Sequence, residues 1–228
     1  MGTILASAIT LKASIILHDQ AGSGTTSGTK WVLATELFGY VNSAQRAICR
    51  LVPSAYVLSA STILIAGCKQ AVAAGTTQII DIPRNMGVSP GSTPGRAITR
   101  VRKADMDRAN PNWMTDTAAA TVLNWMYDLA SPLIFYVYPP QPSSGFGYVE
   151  IERAAAPADI ATHGTAITLG DEWEQAILDA VLHYSYLKDS GHTPNAVMRA
   201  DQHLKSFMSL LGITDKAQAQ TALKQAAE

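Results

Sequence analysis

The stretch Thr35 to Pro53, TELFGYVNSAQRAICRLVP, decides how the rest of the chain is read. Thr35 is a good N-cap, and Glu36 follows in the first turn, where the helix dipole favours an acid. Leu37, Val41, Ala44, Ile48 and Leu51 recur at alternating steps of four and three, which is one face of an amphipathic helix. Gln45, Arg46 and Arg50 fall on the other side, and Pro53 stops the helix. Cys49 falls on the apolar stripe and reads as a buried thiol. Such a stripe must be covered by another element.

The covering elements are in the C-terminal third. Asp171 opens a D-x-x-E pattern with Glu174, close to a capping box, and Trp173, Ile177, Ala180, Val181 and Tyr184 form an apolar face. Thr193-Pro194 reads as an N-cap with proline at the first helical position. Val197, Ala200, Leu204, Phe207 and Leu211 continue the stripe, and Gly212 closes it. Residues 215–228 are rich in Ala and Gln, with a poor apolar face; the tail over 213–228 is expected to take its order from a partner, the portal. At the other end, Ile9 to His18 predicts a short helix, and AGSGTTSGT over 21–29 predicts a flexible loop.

Between the helices the pattern changes. Tyr56 to Ile65, Gln78 to Ile82, Ala97 to Arg102 and Gly147 to Arg153 predict strands. Thr121 to Tyr127 and Leu133 to Tyr138 predict a hairpin ended by Pro139-Pro140, and Asp105 to Trp113 a short helical turn broken by Pro111. The fold class is therefore α+β. An antiparallel helical bundle formed by 1–53 and 170–212 carries an inserted, small β-sandwich or barrel-like lobe over 54–169, and 213–228 is a tail.

Composition narrows the functional classes. The chain has 228 residues, 47% hydrophobic, only 15% charged, with a net charge of −1. A dedicated nucleic-acid binder carries a strong basic excess, and this chain has none. Low surface charge suits a protein packed against other proteins. Cys49 and Cys68 lie nineteen positions apart with no CxxC partner, so no disulfide framework is expected. No signal peptide is evident and no apolar run is long enough to span a bilayer, so no membrane is expected and the default is an intracellular assembly compartment.

Catalytic patterns are sparse. There is no G-x-S-x-G, H-E-x-x-H or Walker loop. Asp179 lies four residues before His183, so a carboxylate–histidine pair on one helical face is possible. A metal site needs three or four converging ligands, and none is foreseen; no cofactor and no catalytic residue is assigned. A small hydrolase using His183 or His163 with a carboxylate is the enzymatic alternative, and an accessory module that forms no ring is the other. Arg96, Arg100, Arg102, Lys103 and Arg108 are the one basic concentration, with Arg100 and Arg102 on one strand face by the period of two. They read either as a solvated face relieved by Asp105 and Asp107, or as contacts to an acidic neighbouring subunit or a DNA channel. Phe135, Tyr136 and Tyr138 alternate faces on one strand, so part of the set belongs to the core and the rest suits an interface.

An ordered set of motifs resembles the head-to-tail adaptor proteins of short-tailed and related phages. Trp31, Glu36-Leu37 and Val41 to Ile48 are similar to the family's first long helix. Ala66-Gly67-Cys68-Lys69-Gln70 resembles its AGT-x-Q turn, with Cys68 in place of Thr. Ile82 to Gly87 resembles its V-x-RNMG element. Gly95 to Ile98, Asn110-Pro111-Asn112-Trp113, Pro132 with Phe135 to Pro140, Trp173 to Asp189, and Arg199 to Phe207 follow in order. The resemblance covers roughly residues 8–212; the tail after Gly212 is outside it and the 21–29 loop departs from it. It implies a non-enzymatic virion protein of the neck, assembled in the host cytoplasm as a homo-oligomeric ring of twelve. It further implies contact with the portal protein on one side and with tail nozzle, tail tube or tail fibre proteins on the other. DNA would pass through the lumen without sequence-specific binding, and a near-neutral wall is compatible with sliding because phosphate contacts need Lys and Arg.

Overall fold

A computed structural model describes residues 2–19, 36–88, 91–128, 130–162, 164–191 and 195–227. The 21–29 loop, Trp31, the Thr35 cap, His163 and Thr193-Pro194 lie outside the described residues. The described residues form six α-helices and two β-sheets, an α+β fold. They divide into two compact units, Met1–Ala55 with Pro157–Glu228, and Tyr56–Ala156. Residues 157–169, grouped by sequence with the β-rich lobe, belong to the helical unit. Asn42 binds both the N–H and the carbonyl of Ile160, and Ile167 N donates to Ile4 O at 2.8 Å.

The helical unit is built around α4 (Glu174–Lys188), which packs against α1 (Ala6–Ile16), α2 (Phe38–Leu51) and α5 (Ala196–Leu210). With neighbours on several sides, α4 is buried nearly all round from Ala176 to Ser185, and the single apolar face read from the sequence is too narrow. The same crowding corrects Gln45. It is not on a solvated side of α2 but buried, its Oε1 accepting the backbone N–H groups of Thr168 at 2.8 Å and Leu169 at 3.3 Å. The Asp171 capping box does not form either. A 3₁₀ turn, Asp171–Trp173, precedes α4, and the carboxylate instead accepts Thr3 Oγ1 and the N–H groups of Thr3 and Ile4. These bonds hold its carboxyl below the usual range.

In α5 the buried stripe is Ala196, Ala200, Leu204, Phe207 and Met208, while Val197 is exposed because Ala196 takes the inward position. The helix closes as read: Gly212 has φ +68°, its N–H reaches Ser209 O, and Ile213 N reaches Met208 O at 2.9 Å, a Schellman motif. The tail forms α6 (Lys216–Ala227), which buries Ala219, Ala222, Leu223 and Ala226 and packs on α2. Its apolar face was underrated because alanine contributes little hydrophobicity but allows close helix approach. Cys49 is buried on α2, and burial pushes its thiol up to about 11.

The second unit carries strands β1 (Val57–Ile63), β2 (Gly67–Ala71), β3 (Thr76–Asp81), β4 (Thr99–Arg100), β5 (Asn124–Tyr127), β6 (Ile134–Gln141) and β7 (Tyr148–Ala155), with helix α3 (Lys103–Ala109). One sheet has the order β1-β7-β3 and the other β2-β6-β5-β4; all pairs are antiparallel except β4 with β5. Ile79, Val149 and Ile151 of the first sheet share one core with Trp125, Phe135 and Val137 of the second, as in a sandwich. The prolines do not end β6. Tyr138 O and Pro140 O still accept Leu123 N and Ala119 N, and opposite the prolines β2 has a register shift between Gly67 and Lys69. β2 itself was read as a turn; with Gly and Lys among five residues it carries little strand signal.

Candidate functional site

The five basic residues sit along one continuous segment, all of them exposed. Arg96 precedes β4. Arg100 ends it, with its guanidinium 5.1 Å from the Trp125 ring centroid and 5.8 Å from that of Tyr127, which anchors it by cation–π contact. Arg102 is not a strand residue as the period of two suggested: β4 stops at Arg100 and Arg102 is the residue that enters α3. Lys103 pairs with Asp107 at 2.8 Å across one helical turn. Asp107 also accepts the Trp113 indole N–H at 2.8 Å, and these two donors hold its carboxyl below the usual range. Among the described residues Arg96, Arg102 and Arg108 have no ion pair, and neither does Asp105. Relief by the two aspartates therefore reaches only Lys103, leaving three cations available to an anionic surface.

Below this segment the second sheet has another covered face. Trp113 is buried with Cys68 and Met126, and Met106, Tyr136 and Tyr138 pack on them. Trp113 meets Tyr136 edge to face at 6.1 Å, and Tyr138 donates to Asp116 at 3.0 Å. Thus Tyr136 and Tyr138, candidates for an interface, are already half-buried beneath α3 and the Asn110 to Asp116 loop. Burial, followed by the charge of Asp116, raises the Cys68 thiol.

The histidine–carboxylate pair is present with a different partner. Asp179 binds His203 of α5, Nδ1 to Oδ1 2.8 Å, and not His183. Ser206 donates to Asp179 Oδ2 at 2.7 Å and Gln175 at 3.2 Å. His183 uses Nδ1 to donate to Ala200 O at 2.8 Å. Ser206 thus gives its hydroxyl proton to the carboxylate and not to an imidazole, so the group lacks the nucleophile–base bond of a hydrolase. Among the described residues no three His, Cys, Asp or Glu side chains converge as a metal site would need, and no described helix is long and apolar enough to cross a membrane.

The sequence motifs are folding devices in this geometry. Gln70 folds back on its own turn, Oε1 accepting Ile65 N at 2.8 Å while Nε2 donates to Ile65 O and Gly67 O. Asn85 is buried; its amide donates to Arg96 O and Val122 O and accepts Val122 N at 2.7 Å. Gly87, at φ +75°, lets the chain turn so that Met86 N and Gly87 O pair with Tyr148. The family model SU10 adaptor protein matches residues 5–226.

The chain belongs to the SU10 adaptor protein family. It is a structural phage protein of the head-to-tail adaptor type, and membership implies portal and tail partners and a place in the virion neck. The match runs through the adaptor's α6, which the sequence resemblance had left out. No curated protein was found to match the chain. Sequence reasoning missed that Asn85 and Gln70, the polar residues inside the adaptor motifs, are its internal clamps; the blocks that carried the resemblance were the one signal marking their surroundings.

Proposed function

We propose that this adaptor works as a homo-oligomeric ring, of twelve copies as the family resemblance implies, seated between the portal and the tail with DNA passing along its lumen. It is assembled in the host cytoplasm and performs no catalysis. The family match over nearly the whole chain carries this reading. Composition supports the channel role: with a net charge of −1 the wall has little to grip phosphate with. Arg96, Arg102 and Arg108 serve as the contact to an acidic surface of a neighbouring subunit, with Arg100 and Lys103 fixed beside them by Trp125 and Asp107.

Native mass spectrometry and negative-stain imaging of the purified chain, alone and with portal, test the reading. A discrete ring, free or on portal, is expected. A chain that stays monomeric and never joins portal overturns it. Arg96→Glu with Arg102→Glu and Arg108→Glu should weaken the ring and reduce its salt sensitivity; unchanged assembly removes the cations from the interface.

A further inference from the structure

Strand β1, Val57-Leu58-Ser59-Ala60-Ser61-Thr62-Ile63, is an open edge. Among the described residues it pairs only with β7. Ala155 N donates to Tyr56 O and Leu64 N to Gly147 O, so the even-numbered residues turn their backbone groups toward β7. The N–H and C=O groups of Val57, Ser59, Ser61 and Ile63 therefore point away from the sheet, and among the described residues none of them takes a hydrogen bond.

Edges of this kind are normally guarded, and the other edges of this unit are. On β3, Ile79 N is taken by the Tyr127 hydroxyl, Ile82 N by Asp81, and the register shifts twice. Strand β2 has Lys69 and a register shift. Strand β4 is two residues long and ends in Arg100. Strand β1 has seven residues, no charge, no proline and no register shift. Val57 and Ile63 stand exposed at its ends.

The sequence of the strand says what fits there. It is close to a palindrome about Ala60. An antiparallel copy centred on that residue sets Val57 opposite Ile63, Leu58 opposite Thr62, Ser59 opposite Ser61 and Ala60 opposite Ala60. Branched apolar meets branched apolar, serine meets serine, and no like charges are opposed. In this register the pairs that exchange hydrogen bonds are 57 with 63 and 59 with 61, so every outward backbone group on both strands is satisfied.

We infer that β1 is a self-pairing edge that joins two copies of this chain about a two-fold axis at Ala60. The two β1-β7-β3 sheets become one sheet of six strands. A two-fold contact is the same patch on both copies and does not repeat around a ring, so this contact is separate from the head-to-tail contact of the proposed ring and stands without it. It joins copies before ring closure, or one ring to another.

Cysteine scanning of the full-length chain tests this, since Cys49 and Cys68 are both buried. Residue 60 faces its own copy in a pair without hydrogen bonds, where the Cα atoms are about 4.5 Å apart, within disulfide reach. Under mild oxidation Ala60→Cys should form a covalent dimer at least about tenfold faster than Ser59→Cys, whose own copy is displaced along the strand. Ser61→Pro removes one outward N–H, together with the Ser61 hydroxyl's bond to Gly91 O, and leaves the β7 ladder intact, and Ala60→Lys puts two cations face to face. Both should abolish the dimer seen by sedimentation velocity, with the circular dichroism melt of Ser61→Pro showing that the fold is retained. Equal cross-linking at 59 and 60, or a dimer that survives both substitutions, overturns the inference, as does a wild-type chain that does not dimerise together with an Ala60→Cys chain that does not cross-link.

Discussion

Nδ1 of His203 donates to Oδ1 of Asp179 across 2.8 Å, joining α5 to the buried centre of α4 over a sequence separation of 24. The carboxylate also takes the Ser206 hydroxyl, so one buried acid holds two side chains of the neighbouring helix. Removing it strands both donors. Asp179→Ala should destabilise the chain by about 2–4 kcal/mol in urea denaturation. In a double-mutant cycle, Asp179→Ala with His203→Ala should show about 1–3 kcal/mol of coupling, and Asp179→Ala with His183→Ala less than about 0.5 kcal/mol. A larger coupling to His183 would restore the pair read from helical spacing.

The same acid sets a pH dependence. Burial favours its neutral form, but the hydrogen bonds from His203, Ser206 and Gln175 outweigh burial, and the Asp179 carboxyl lies below its ordinary range. A carboxylate whose folded pKa is below its unfolded value, about 3.9, adds stability that is complete above that value and lost as pH falls through the folded pKa. Wild-type stability should therefore fall more steeply than that of Asp179→Asn on acidification from about pH 5 to pH 3. Parallel curves for the two proteins would show that the network does not hold the charged form.

Asn85 permits a sharper test of the clamp in the β unit. Its amide nitrogen faces the carbonyls of Arg96 and Val122 at 2.9 and 2.8 Å. Asn85→Ala leaves the N–H and C=O of Val122 without their partner, at a cost of about 2–4 kcal/mol. Asn85→Asp keeps the shape but turns an acceptor toward two carbonyls, so it should cost more than alanine at neutral pH and recover as the acid protonates. Denaturant titrations at pH 7 and pH 4.5 distinguish the three proteins; an aspartate as stable as the wild type at pH 7 would rule out the amide orientation.

What the sequence made legible was periodic. The stripe of Leu37, Val41, Ala44 and Ile48, the β5–β6 hairpin and the Gly212 stop all follow from spacing that one covering partner enforces. Spacing is silent about a second partner. Gln45 reads as solvated because a polar side chain flanking the stripe is expected to face water, yet the 157–169 segment covers it. Asp179 reads toward His183 because only intrahelical neighbours can be counted along a sequence. The basic run was visible as composition, but which of its members are free depends on Trp125 and Asp107, which reach it through the fold. Asn85 and Gln70 carry no period at all, and only the family resemblance marked their surroundings.

The tail gives the last test, because side chains from two other helices fasten it. Arg46 of α2 donates through Nε and Nη2 to Ala226 O at 3.2 and 2.9 Å, and Tyr184 of α4 donates to Leu223 O at 2.7 Å. A cation and a hydroxyl thus satisfy carbonyls at the C-terminal end of α6, where the helix dipole is negative. Burial, the dominant cause, raises the Tyr184 phenol, so it stays a donor through neutral pH. The alanine-rich face of α6 supplies little hydrophobic area, so these bonds are a large share of its docking. Arg46→Ala should lower the free energy of docking by about 1–2 kcal/mol and speed hydrogen exchange over 216–227 roughly 5- to 30-fold, with the β unit unaffected. Arg46→Lys keeps the charge without the guanidinium fork and should fall between the two. Exchange over the tail that is the same in all three proteins would mean that alanine packing alone holds α6 on α2.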